Sequence, residues 1–143
     1  MSDALVLGFD TSGPACAAAL LSGGTVVAHR HEAMAKGQAE RLLPMLEEVL
    51  AEANVAWSDL AALGVGVGPG NFTGVRIAVS AARGVSLGLG LPTVGVSALE
   101  AQAFATSGVV ISSLDARRDQ LYLQVFEGSV AGDPLLCDLQ TLP

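Results

Sequence analysis

The sequence predicts an α/β protein: one lobe in the order strand, strand, strand, helix, strand, helix, strand, helix, then the first strands of a second lobe of the same plan. Three observations carry that expectation. Short apolar runs bounded by Gly, Pro and Ser alternate with longer segments of helical period. Of the 143 residues, 51% are hydrophobic and only 15% charged, so much of the chain must be covered. The opening pattern also recurs, because Val109–Asp115 is an apolar strand ending in an acid, as Leu5–Asp10 is.

The elements follow in order. Leu5–Phe9 is a short apolar strand running into the turn residues Asp10-Thr11-Ser12-Gly13-Pro14; Cys16–Leu21 is a second strand, Ser22-Gly23-Gly24 a tight hairpin, and Thr25–His31 a third strand. The segment 38–54 is a helix. Its apolar residues Ala39, Leu42, Leu43, Met45, Leu46, Val49, Leu50 and Ala53 span an arc of about 160°, wider than one packed face requires. Such an arc is expected to touch a sheet and something else, with Glu40, Arg41, Glu47, Glu48 and Glu52 towards solvent.

After the turn Ser58-Asp59-Leu60, Leu63–Val67 is a buried strand, and the loop Gly68–Gly74 feeds a second helix over 73–89. That helix has few polar residues, Arg76, Ser80, Arg83 and Ser86, and many small ones. The small residues would admit another helix closely, while each internal glycine costs about 1 kcal/mol of helix propensity. The stripe of Arg76, Ser80 and Arg83 is either a solvated face or the polar part of an interface. Thr93–Val96 is a further strand, and Ser97 with Glu100 reads as a capping box opening a third helix to Ala105. Val109–Asp115, Gln120–Glu127 and Leu135–Leu139 repeat the meander. The expected lobes are 1–107 and 108–143, the first complete and the second truncated.

Several functions are disfavoured. Fourteen acids face seven bases (Arg30, Lys36, Arg41, Arg76, Arg83, Arg117, Arg118), a net charge of −7, so the chain alone is not expected to bind nucleic acid directly. The longest uncharged apolar stretch, 84–99, is broken by Gly88, Gly90 and Pro92, and no membrane association is expected. Met1–Leu5 lacks the positive region of a signal peptide, which points to the cytoplasm. Cys16 and Cys137 read as reduced core residues. His29 and His31 share a strand face without further ligands nearby, so no metal site is expected. Neither a G-x-G-x-x-G register nor a Walker A loop fits the glycines at 64–74, and no G-x-S-x-G elbow is present.

Two loops remain as candidates for chemistry. Asp10, Thr11 and Ser12 end the first strand, and Gly70, Asn71 and Thr73 lead into the second helix. Together they either hold an anion or a nucleotide phosphate, or serve as tight turns and caps.

The stretches Phe9-Asp10-Thr11-Ser12, Glu40-Arg41-Leu42-Leu43-Pro44-Met45, Gly68-Pro69-Gly70-Asn71-Phe72-Thr73-Gly74-Val75-Arg76-Ile77, Gly95-Val96-Ser97 and Leu114-Asp115-Ala116-Arg117 resemble the TsaB (YeaZ) family. These are non-catalytic subunits of the bacterial machinery that makes threonylcarbamoyladenosine at position 37 of tRNAs reading ANN codons. The resemblance runs from Leu5 to about Phe126. It implies an actin-like ATPase fold of the sugar kinase, Hsp70 and actin kind, with two ribonuclease-H-like lobes, the second of them incomplete here.

It further implies docking through the first two helices onto the catalytic TsaD subunit, for which Leu42, Met45, Leu46, Val49, Arg76, Ile77, Ser80 and Arg83 are the expected contacts. A TsaE-type ATPase joins the assembly, and the same helices support a homodimer when TsaD is absent. No cofactor belongs to the chain itself, and ATP or ADP with magnesium is expected at an interface between subunits. The metal-binding H-x-x-x-H pair of TsaD is matched here by Ala98 and Gln102, neither a strong metal ligand, so the chain is not expected to be an enzyme. Gln38 departs from the family, where His is common. The competing reading is a small actin-like ATPase or phosphotransferase using Asp10 and Asp115 as magnesium ligands. Ala116-Arg117-Arg118 stand where such an enzyme would place phosphate-binding glycines.

Overall fold

A computed structural model describes residues 3–143; Met1 and Ser2, part of the N-terminal reading above, lie outside the described residues. The elements are β1 (Leu5–Asp10), β2 (Ala15–Ser22), β3 (Thr25–Ala33), α1 (Gln38–Glu52), β4 (Ala62–Gly66), α2 (Phe72–Leu89), β5 (Thr93–Val96), α3 (Ala98–Ala103), β6 (Val109–Arg117), β7 (Gln120–Glu127), β8 (Val130–Ala131) and β9 (Leu135–Asp138). A single 3-10 turn, Trp57–Asp59, precedes β4, with the Asp59 carboxylate accepting from the Ala56 amide.

The first five strands form one sheet in the order β3-β2-β1-β4-β5. The meander pairs antiparallel, whereas β4 and β5 join parallel to β1, which the crossovers through α1 and α2 permit. The second sheet is ordered β6-β7-β8, with β9 pairing β7. Thus the three-strand opening of each lobe is present, and β8 is an addition too short to register as a periodic pattern.

One face of the first sheet carries the core. Leu7, Phe9, Cys16, Ala18, Leu20, Ala28, Leu63 and Val65 meet Leu42, Met45, Leu46, Val49 and Leu50 of α1 and Ala78 and Ala82 of α2. Two expectations change here. Leu42, Met45, Leu46 and Val49, expected at a partner interface, are at most 1% exposed within the chain's own core. The reason is volume. Cys16, Ala18 and Ala28 on the sheet and Ala78 and Ala82 on α2 are small, so α1 must fill the layer between them. The small residues Gly74, Ala78 and Ala82 in turn seat α2 against its own lobe, not against a partner.

The caps also differ in detail. Ser97 accepts from the Leu99 amide at 3.2 Å, a simple N-cap instead of the reciprocal box with Glu100. Arg41, assigned to the solvent side, reaches back to Glu32 on β3. The second sheet meets the first lobe through α3: Leu99 is fully buried, and the buried Ser112 hydroxyl of β6 donates to Gln102 Oε1 at 2.7 Å.

Candidate functional site: the α1/α2 groove and the loop beneath it

Where α1 and α2 run beside each other, a groove of about 450 Å³ opens to solvent, lined by Ala39, Leu42 and Leu43 from α1 and by Thr73, Arg76, Ile77, Ser80 and Ala81 from α2. Leu42 is its buried floor; Leu43 is 47% exposed. Phe72 opens α2 at 74% exposure, and the Arg76 guanidinium lies 5.2 Å from its ring centroid, a cation–π contact. This is an apolar strip edged by a cation and hydroxyls, the composition of an interface patch. Of the eight expected contacts, Arg76, Ile77, Ser80 and Leu42 line the groove; Met45, Leu46 and Val49 are core, and Arg83 is exposed further along α2. Periodicity missed Ala39 and Leu43 as groove residues: Leu43 lies at the edge of the over-wide arc, whereas Ala39 shares the wheel position of the buried Leu46 and is open only because it sits in the first turn of α1.

The loops at the N-terminus of α2 are bound to each other. Asp10 accepts from the Ser12 amide at 2.8 Å and from the Ser12 hydroxyl at 2.8 and 3.0 Å. Thr11, fully buried, donates its hydroxyl to the Gly74 carbonyl at 2.5 Å. The Asn71 amide donates to the Ser12 carbonyl at 2.7 Å, and the Asn71 side chain caps α2 by accepting from the Gly74 amide at 2.9 Å. Glycine is required where the segments touch: a Cβ on Gly74 would run into the Thr11 carbonyl, one on Gly70 into the Ser12 carbonyl, and one on Gly66 into the Asp10 carboxylate.

The glycines therefore serve close backbone approach. The amides of Ser12, Asn71 and Gly74 all have acceptors within the chain, so these three serve the turns and the cap, one of the two alternatives for Asp10, Thr11, Ser12, Gly70, Asn71 and Thr73. Thr73 faces the groove instead. Asp115, named in the phosphotransferase reading, is exposed and accepts from the Arg117 amide at 2.8 Å. Among the described residues no three His, Cys, Asp or Glu side chains gather in a way that could hold a metal ion. Among the described residues no helix is long and apolar enough to cross a membrane.

Charge around α1 is set by Arg41. Its Nε and Nη2 grip Glu32, and its Nη1 and Nη2 grip Glu48. These bonds hold the Glu32 and Glu48 carboxyls below their usual range and raise the guanidinium further above its own. Burial pushes the Cys16 thiol up.

A five-stranded sheet with a meander, two parallel strands and helical crossovers, followed by a second sheet that opens the same way, defines a member of the actin-like ATPase fold. Component A of (R)-2-hydroxyglutaryl-CoA dehydratase from Acidaminococcus fermentans shares that fold alone, at 18% identity and a TM-score of 0.60 over 94% of this chain and 48% of its own. Residues 25–131 match the family model described as TsaD: tRNA N6-adenosine threonylcarbamoyltransferase. The Escherichia coli protein named tRNA threonylcarbamoyladenosine biosynthesis protein TsaB is 39% identical over 82% of this chain and 52% of its own length. YeaZ from Pseudomonas aeruginosa superposes with a TM-score of 0.84 at 34% identity, covering 93% of this chain and 67% of that one. The chain belongs to the TsaB/YeaZ family. It spans about half the length of the curated relatives it matches, 52% and 58% of the first two.

Proposed function

We propose that the chain acts in threonylcarbamoyladenosine formation on tRNA as a non-catalytic docking subunit, binding a TsaD-type catalytic subunit through the α1/α2 groove. The observation that carries this reading is the groove itself: Leu43, Ile77 and Phe72 leave apolar surface open beside Arg76 and Ser80, on two helices whose other sides are packed into the core. The names of the relatives supply the pathway. The modified nucleoside, adenosine 37 of tRNAs reading ANN codons, comes with the same reading.

A non-catalytic role is supported by Gln102. At the place where the catalytic relative is expected to carry a metal-binding histidine, this chain has an amide whose oxygen accepts from Ser112 and ties α3 to β6. Arg30 and Arg41 are paired with acids, so the few cations of this acidic chain are a poor basis for holding RNA, and tRNA contacts fall to the partner. ATP or ADP with magnesium, and the TsaE-type ATPase, are likewise assigned to the assembly; the Ser12 amide and hydroxyl are already engaged by Asp10. In the absence of the partner the same groove supports a homodimer. The compartment consistent with this work is the cytoplasm.

The test is association of the protein, as its gene encodes it, with a TsaD-type subunit on a sizing column. Phe72→Glu with Leu43→Glu should abolish the complex while circular dichroism stays unchanged, because Phe72 is 74% and Leu43 47% exposed. A complex that survives both substitutions excludes the groove.

A further inference from the structure

We propose that Thr11 is a positioning residue for the α1/α2 groove: its hydroxyl holds the first turn of α2, and so fixes where Thr73, Arg76 and Ile77 stand before a partner arrives. The inference rests on reading that groove as the docking site.

The two helices are anchored unequally. Helix α1 is held by five buried bulky side chains, Leu42, Met45, Leu46, Val49 and Leu50, whereas the fully buried residues of α2 are Gly74, Ala78 and Ala82. The larger side chains of α2, Ile77, Val79 and Val85, are only partly buried against the core, so α2 resists sliding along the sheet less than α1 does. Its N-terminal turn carries the polar restraints instead. The Thr11 hydroxyl donates to the Gly74 carbonyl, and the Asn71 amide donates to the Ser12 carbonyl. Gly70 and Gly74 then seat directly on the backbone of Ser12 and Thr11. Thr73 precedes Gly74, and Arg76 and Ile77 follow within one turn, so a shift of this turn moves the groove's α2 wall while α1 stays in place. Thr11 is fully buried, and a valine there would fill the same volume without the donor.

The experiment compares Thr11→Val and Thr11→Ser in the encoded protein, measuring affinity for a TsaD-type subunit by calorimetry. Losing one buried hydrogen bond, Thr11→Val is expected to weaken association about three- to tenfold, and Thr11→Ser, which keeps the hydroxyl, to stay within about twofold of the parent. Leu99→Ala, which damages the buried contact of α3 away from both groove helices, should leave affinity unchanged. Equal weakening by Leu99→Ala overturns the proposal, because stability alone would then explain it. Parental affinity in Thr11→Val, with Ile77→Glu blocking association, overturns the positioning role and leaves the docking site standing. Parental affinity in Ile77→Glu overturns the docking site itself. Before any partner is added, hydrogen exchange at the Asn71 amide should be slow and should speed up in Thr11→Val while exchange elsewhere in the first sheet stays unchanged; equal rates in the two proteins overturn the proposal.

Discussion

Arg41 grips Glu32 at two points, Nε to Oε2 at 2.8 Å and Nη2 to Oε1 at 2.6 Å, and thereby ties helix α1 to the edge strand β3. The same guanidinium reaches Glu48 about two turns along α1, so a single cation holds two carboxylates from different elements. Both carboxyls sit below their ordinary value because they are hydrogen-bonded in their charged form. A depressed folded-state value means that the stabilisation is complete above the unfolded-state value and is lost as pH falls through the folded-state one. Unfolding midpoints in urea should therefore drop on acidification below the ordinary glutamate value of 4.5, and drop less steeply in Arg41→Met. Identical acid profiles for the parent and Arg41→Met would exclude this cluster as the source.

Leu46 and Ile77 should separate folding from docking. Leu46 is fully buried, and Leu46→Ala is expected to cost about 2–5 kcal/mol in denaturant unfolding. Ile77→Glu is expected to leave most of the unfolding free energy intact and to act on partner binding instead. A Leu46→Ala cost near zero would contradict its place in the core.

The glycines of α2 should respond oppositely. Gly84 has open space where a Cβ would stand, so Gly84→Ala is expected to stabilise by about 0.5–1 kcal/mol through helix propensity. Gly74→Ala would drive a methyl into the Thr11 carbonyl and should destabilise strongly, with a fall in melting temperature. Similar melting shifts for the two variants would refute the close approach.

Ser112 should report on how the second sheet is held. Ser112→Ala removes the hydroxyl that donates to Gln102 and is expected to cost about 0.5–1.5 kcal/mol, with faster hydrogen exchange along β6. Unaltered β6 exchange would show that Leu99 packing alone secures the contact.

Much of the fold was legible because its signals are local. The hairpin at Gly23-Gly24, the cap at Asn71 and the break at Pro92 each declare themselves within a few residues, and the strands and helices fall where these imply. The docking face was legible only in part. Apolar periodicity shows that the α1 arc is too wide, but which of its residues face inward depends on the size of side chains on β2, β3 and α2 that lie far away in sequence. Hence Leu42, Met45, Leu46 and Val49 went to the core while Leu43 stayed outside. The glycine loop stayed open between two readings for a related reason. A phosphate cradle and a close backbone crossing demand the same absence of Cβ, and only the partner atoms, Thr11 and Ser12, distinguish them.

The concentration of bulky core side chains in α1 bears on how the chain folds. Strands β1, β2, β3 and helix α1 run consecutively from Leu5 to Glu52, and they contain most of the large residues of the first lobe's core. These contacts close short loops, whose entropic cost is small, whereas pairing of β1 with β4 and seating of α2 on the Thr11 loop close much longer ones. The meander with its helix is thus suited to form an early nucleus. The parallel strands and the groove's α2 wall close onto it through longer loops, so the surface proposed for docking is expected to be completed late in folding.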